Sequence, residues 1–159
     1  MAFFDEARIT VISGKGGNGC SSFRREKYIP KGGPDGGDGG KGGDVVATHD
    51  RNLNSLINLK GKRVFSAKSG KAGSGKNMKG ESGEDLLIRL PNGTLIYADK
   101  TGELIGEITD TNEKIVLAKG GKGGLGNARF KSSTNQSPRK FTEGEEADER
   151  DIMLELRLI

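Results

Sequence analysis

The chain has 159 residues, enough for one domain, with 27 glycines, 4 prolines, no tryptophan and a formal net charge of +4. Leu, Ile, Val and Phe together number 35, just above the level at which too little apolar surface is buried to offset chain ordering, so a folded domain with a small core is expected. A single cysteine (Cys20) and a single histidine (His49) exclude an internal disulfide and the usual zinc clusters. No apolar stretch suits a signal peptide or a membrane span, so a reducing, cytoplasmic setting is expected.

In chain order, residues 7–13 (ARITVIS) read as a strand. The glycine block 14–19 comes next, with two offset series of period three, Gly14/Gly17 and Gly16/Gly19. In the next block, 32–44 (GGPDGGDGGKGGD), Gly36, Gly39 and Gly42 form one series and Gly37, Gly40 and Gly43 another. Residues 44–48 and 62–68 read as strands, and Gly70/Gly73 and Gly80/Gly83 repeat the spacing more weakly. Strand signals then come at even intervals, at 85–90, 94–99, 103–108 and 114–119. Their turn-like connections leave no room for crossover helices, which predicts an antiparallel meander and hence a sandwich or barrel. Gly120, Gly123 and Gly126 restore the three-residue period, and 151–159 (DIMLELRLI) reads as a last strand. No long segment has capped helical periodicity.

Three residues per turn is the pitch of the left-handed polyproline II helix. A glycine at every third position leaves such a helix a bare side, on which another backbone can lie closely. A flexible linker has no reason to keep this phase, and the collagen pattern fails because the repeats stop and proline is scarce. Several short polyproline II segments packed on one another within a mainly β domain are therefore expected.

Motifs resembling catalytic loops fail on chemistry. Residues 14–19 match the letters of a dinucleotide fingerprint, but residues 20–33 (CSSFRREKYIPKGG) lack a sustained helical face, so no helix would turn its amide end to a pyrophosphate. Residues 70–77 (GKAGSGKN) nearly spell a phosphate loop, yet Asn77 stands where a magnesium-binding hydroxyl belongs. The acids of 143–149 read as a solvated face. Neither catalytic residues nor a metal site are expected.

Charge is segregated. Residues 60–79 carry seven cations and no acid, and 119–140 carry six and no acid, whereas 99–113 and 141–159 are acid-rich. A third basic block, 23–28 (FRREKY), adds aromatic side chains. Clustered polyproline segments would present these blocks at one end of the molecule, as a phosphate-backbone ligand requires, with Phe23, Tyr28 and Phe130 able to stack on bases.

The segments 23–44 (FRREKYIPKGGPDGGDGGKGGD), 80–94 (GESGEDLLIRLPNGT) and 120–139 (GGKGGLGNARFKSSTNQSPR), in this order and spacing, resemble the N-terminal glycine-rich domain of Obg-family GTPases over nearly the whole chain. Residues 151–159 look like the strand that leads into the GTP-binding domain, so 1–159 reads as the Obg domain cut before the phosphate loop. The resemblance implies a bundle of six polyproline II helices on a small antiparallel β-barrel or jelly-roll-like part, with little or no α-helix. For the intact protein it implies GTP hydrolysis with magnesium, with no cofactor held by this part, and a role in 50S subunit assembly and in stress and growth control. The implied partners are the large ribosomal subunit, through 23S ribosomal RNA near the peptidyl-transferase centre, and the protein's own GTPase domain; the chain is expected to be a monomer with no membrane span. The alternative is a protein-interaction or autoregulatory domain. Loop positions expected to contact RNA are Arg24, Arg25, Lys27, Lys31, Lys76, Lys79, Arg129, Lys131 and Arg139, and Gly16, Gly19, Gly36, Gly39, Gly42, Gly120, Gly123 and Gly126 are expected to be structural. Two positions depart from the family pattern: Ala147 stands where many relatives have glycine, and Glu81 where a basic residue is common.

Overall fold

The computed structural model describes residues 3–25, 32–111 and 114–158. It contains strands β1 (Phe3–Ile12), β2 (Val45–His49), β3 (Val64–Ser66), β4 (Leu86–Leu90), β5 (Thr94–Ala98), β6 (Leu104–Ile108), β7 (Lys114–Ala118) and β8 (Glu149–Leu158). These form two sheets, ordered β3-β1-β8-β5-β6 and β4-β2-β7. Strand alternation turns Ile9, Val11, Ile96, Ile152 and Leu154 of the first sheet into one core with Val45, Ala47, Ile88, Leu90 and Leu117 of the second. Leu56 and Leu59, beside and within a short 3₁₀ turn (Ile57–Leu59) that the sequence did not suggest, complete that core.

The domain is mainly β, but the expected antiparallel barrel is corrected to two open, mixed sheets. Nor do the strands between 85 and 119 form a meander. Of these, only β5 and β6 pair with each other, while β4 and β7 flank β2 in the other sheet. The cause is the path of the glycine segments. Strand β1 runs out into segment 13–24 and 32–44 returns to β2; β3 runs out into 67–74 and 77–85 returns to β4; β7 runs out into 119–127 and 141–148 returns to β8. The outgoing strands β1 and β3 therefore pair in parallel, as do the returning strands β2 and β4. Extended excursions supply the crossover that a parallel pair needs, where a helix is the usual solution.

The glycine segments lie side by side as extended rods, with Gly126 (φ −75°, ψ 160°) in the polyproline II region. Segment 13–24 shows how the three-residue pitch is used. Amides of Gly14, Gly17 and Cys20 donate to carbonyls of Gly43, Gly40 and Gly37, and those of Gly16 and Gly19 donate to Glu145 and Thr142. Carbonyls of Lys15 and Asn18 accept from Gly70 and Gly73, and those of Gly14, Gly17 and Cys20 accept from Gly121, Gly124 and Asn127. Each turn of the rod thus meets each neighbour once. Two positions per turn lie against other backbones, which accounts for the two offset glycine series.

A Cβ on Gly39 or Gly42 would lie 1.9 Å from the carbonyl oxygen of Gly17 or Gly14. At Gly16, Gly19, Gly36, Gly120, Gly123 and Gly126 the corresponding distance to a carbonyl oxygen is 1.9–2.1 Å. Gly70, Gly73, Gly80 and Gly83, which look like weak echoes in the sequence, are equally tight at 1.9–2.1 Å. The third position of each turn points away and, with the exception of Leu125, carries mostly polar residues in the 14–19, 36–44 and 120–126 blocks. Several of these bond across rods: Asp38 and Asp44 accept the amides of Gly126 and Gly120, and Asn18 accepts that of Gly144.

Candidate nucleic-acid interface

Because each outgoing rod is followed by a returning one, the 75–77 and 128–140 connections, and Arg24, Arg25, Gly32 and Gly33 on either side of the first one, fall at the end of the bundle remote from the sheets. At about 3.1 Å per residue, that end stands roughly 30 Å from the strands.

Arg24, Arg25 and Lys76 line one concavity of about 690 Å³, with Phe23, Asp35 and Asn77 among the other residues around it. Lys131 extends over the neighbouring turn, where its Nζ would be 3.6 Å from a Cβ on Gly33. The Arg139 carbonyl accepts the Ser21 hydroxyl at 3.0 Å, which ties the third connection to the first. Lys79 lies near Asp38, whose carboxyl it helps to keep ionised. Lys27, Lys31 and Tyr28 lie outside the described residues.

Arg129 is turned back onto the bundle. Its Nη2 and Nε donate to Asp38 Oδ2 at 2.7 and 3.0 Å. The Arg129 guanidinium, followed by the Gly126 amide, holds the Asp38 carboxyl below the usual carboxylate range. Arg129 thus braces the third loop against segment 32–44, although its side chain remains 64% exposed. Phe130 has the Lys140 ammonium 5.1 Å from its ring centroid, so one of its faces is already covered.

The basic run 60–79 is divided by the fold. Lys60 pairs with Asp5 at the sheets, and Lys62 sits 4.9 Å from the Phe65 ring centroid, because β3 belongs to the sheet. Lys71 pairs with Glu81 along the bundle at 3.4 Å. Of this run, Lys76 and Lys79 reach the remote end.

Two residues that shape this end escaped sequence reasoning. Asn127 has no exposed surface. Its Oδ1 accepts the amides of Gly36 (2.8 Å) and Ser22 (3.3 Å), while its Nδ2 donates to the carbonyls of Ser22 (2.9 Å) and Pro138 (3.0 Å). One side chain therefore joins the 13–24 and 32–44 segments to the 128–140 connection. Its only sequence signal is an amide residue placed where the 120/123/126 glycine series stops. Asp35, 8% exposed, fixes the 75–77 turn: its Oδ2 accepts the Lys76 amide at 3.0 Å and its carbonyl the Asn77 amide at 2.7 Å. These bonds hold Lys76 and Asn77 at φ 62° and 57°, a left-handed conformation that non-glycine residues rarely adopt.

The two phosphate-loop lookalikes are parts of these rods. Amides of Gly14, Gly16, Gly17 and Gly19, and of Gly70, Lys71, Gly73, Ser74 and Lys76, are all bonded to other parts of the chain and are not turned towards a ligand. Residues after Asn77 continue as an extended rod to β4. Among the described residues, no helix is long and apolar enough to cross a membrane.

The family model described as GTP1/OBG matches residues 4–158, spanning both sheets and all the glycine rods. The chain belongs to the GTP1/OBG family, as the N-terminal Obg domain of an Obg-family GTPase.

Proposed function

We propose that this domain is the RNA-docking module of its GTPase, seating the remote end of the glycine bundle on ribosomal RNA of the large subunit during subunit assembly in the cytoplasm. The observation that carries this reading is the concentration of Arg24, Arg25, Lys76, Lys79, Lys131 and Arg139 at one end of a rigid scaffold. The carboxylates there, Asp35 and Asp38, are engaged in holding loops. Such a fixed basic surface attracts phosphates through counterion release and positions the protein on them. GTP hydrolysis with magnesium belongs, on this reading, to a separate part of the parent protein that this module delivers to the ribosome.

Cosedimentation with large ribosomal subunits at increasing salt tests the proposal. The Arg25→Glu/Lys131→Glu variant should bind less and flatten the slope of log affinity against log salt, by about one unit per phosphate contact removed. A Lys62→Glu/Arg63→Glu variant, altered beside the sheets, should behave as the wild type. Absence of binding at low salt, or equal loss from both variants, would refute the proposal.

One observation favours a protein partner instead. On the outer face of the smaller sheet, Leu87 (41% exposed) and Val116 (49%) flank Val46, each in register with it. Capture of a partner from nuclease-treated extract, lost on Leu87→Asp, would support that reading.

A further inference from the structure

The outer face of the larger sheet is open. Alternation turns Ala7, Ile9, Ile96, Ile152 and Leu154 into the core, so the residues between them point the other way. Register places Met153 beside Tyr97 and Tyr97 beside Leu104. These form an apolar row across three strands, in which Leu104 is 53% exposed. In the next row Glu6 stands beside Glu155, Glu155 beside Leu95, and Leu95 beside Glu107. Like charges directly opposite each other, as Glu6 and Glu155 are, destabilise a sheet. Two cations on this side are already engaged: Arg8 donates to Asp99 at 2.9 Å, and Lys100 lies 4.0 Å from Asp151. Among the described residues, neither Glu6 nor Glu155 is in an ion pair.

We propose that this face docks a short lysine- or arginine-bearing segment of another protein. Apolar side chains of that segment lie on the Met153–Tyr97–Leu104 row, and one of its cations sits between Glu6 and Glu155. The charge selects the partner. An uncharged segment would leave the two carboxylates dehydrated and unpaired, whereas RNA or an anionic membrane would be repelled. A free cation would answer the carboxylates but leave the apolar row uncovered. Tyrosine and methionine are favoured in the buried centre of protein interfaces. Three strands about 4.8 Å apart make a strip roughly 15 Å wide, which suits one strand or helix and not a broad domain surface. The inference is independent of the RNA-docking reading, which uses the remote end of the bundle. It is also separate from Leu87 and Val116, which lie on the other sheet.

The test is a map of amide shifts while the chain is titrated with a short peptide alternating lysine and leucine, compared with an equally charged peptide alternating lysine and serine. The lysine–leucine peptide should shift Glu6, Leu95, Tyr97, Met153, Leu104 and Glu155. It should bind about tenfold more tightly than the lysine–serine peptide, as burial of one leucine contributes. Leu104→Ser should remove that advantage. Glu6→Gln/Glu155→Gln should weaken both peptides and raise Tm, because the facing charges are gone. The exposed acids Glu143, Glu145 and Glu146 offer charge without the apolar row and should not shift. Shifts centred on 143–149 or on Leu87 and Val116, equal affinity for the two peptides, or no binding at low salt would each overturn the proposal. So would self-association of the chain that Leu104→Ser abolishes, since the occupant would then be a second copy. None of these outcomes bears on RNA docking.

Discussion

In the sheet half, Val11, Leu90, Ile96, Leu117, Ile152 and Leu154 have almost no exposed surface, and burial of their side chains orders the backbone. In the bundle half, the buried positions include Gly14, Gly17, Gly36, Gly39, Gly40, Gly42 and Gly43, which have no side chain to bury. Order there comes from amide–carbonyl bonds between rods that can approach only because Cβ is missing. A sparse apolar composition is thus sufficient for an ordered domain when backbone contact replaces part of the core. The sheet half tolerates changes of shape that its side chains can absorb, whereas the bundle tolerates none at the rod contacts.

Four substitutions test this contrast, from largest effect to smallest. Gly39→Ala or Gly42→Ala places a methyl group 1.9 Å from a carbonyl oxygen on another rod. Backbone cannot repack as a side chain can, so each should cost at least about 3 kcal/mol in urea unfolding or prevent soluble expression. Gly61, with nothing within 4 Å of its Cβ position, is the control; its alanine variant should stay within about 0.5 kcal/mol of wild type. Leu154→Ala, in the sheet core, should cost about 2–5 kcal/mol by cavity formation. If it proves costlier than Gly39→Ala, the sheets are the less forgiving half.

Asn127→Asp keeps the side-chain shape but replaces a donor with an acceptor facing the Ser22 and Pro138 carbonyls. A loss of about 2–3 kcal/mol, with amide shifts centred on Ser22, Gly36 and the residues around Pro138, is expected. The smallest effect is a pH dependence. The folded Asp38 carboxyl lies below its ordinary value, chiefly through Arg129. Its stabilisation is therefore complete above the unfolded value of about 3.9 and is lost as pH falls through the lower folded value. Asp38→Asn should cost about 1 kcal/mol at neutral pH, and this difference from wild type should vanish on acid titration.

The strands were legible in the sequence because each carries apolar residues at period two, and the rods because their glycines keep period three. The sheet partners were not legible. Strand direction is set by whether a rod is leaving or returning, which short-range pattern does not encode, so β4 to β7 read as one meander. The basic blocks were visible, but charge alone could not tell Lys60 and Lys62 at the sheets from Lys76 at the remote end. Nor could it show Arg129 committed to Asp38. Asn127 and Asp35 were hidden because an amide or carboxylate amid glycines looks the same in sequence whether it faces water or ties separate segments together.

Amide hydrogen exchange under native conditions tests most directly whether the bundle is a rigid scaffold. The amides of Gly17, Gly39, Gly40 and Gly124, each bonded to a carbonyl on another rod, should exchange as slowly as those of Ile96 and Leu154 in the sheets, through the same global unfolding. Exchange of these glycines at the rate of an unstructured chain, with the sheet amides still protected, would show the bundle to be a linker and contradict the account.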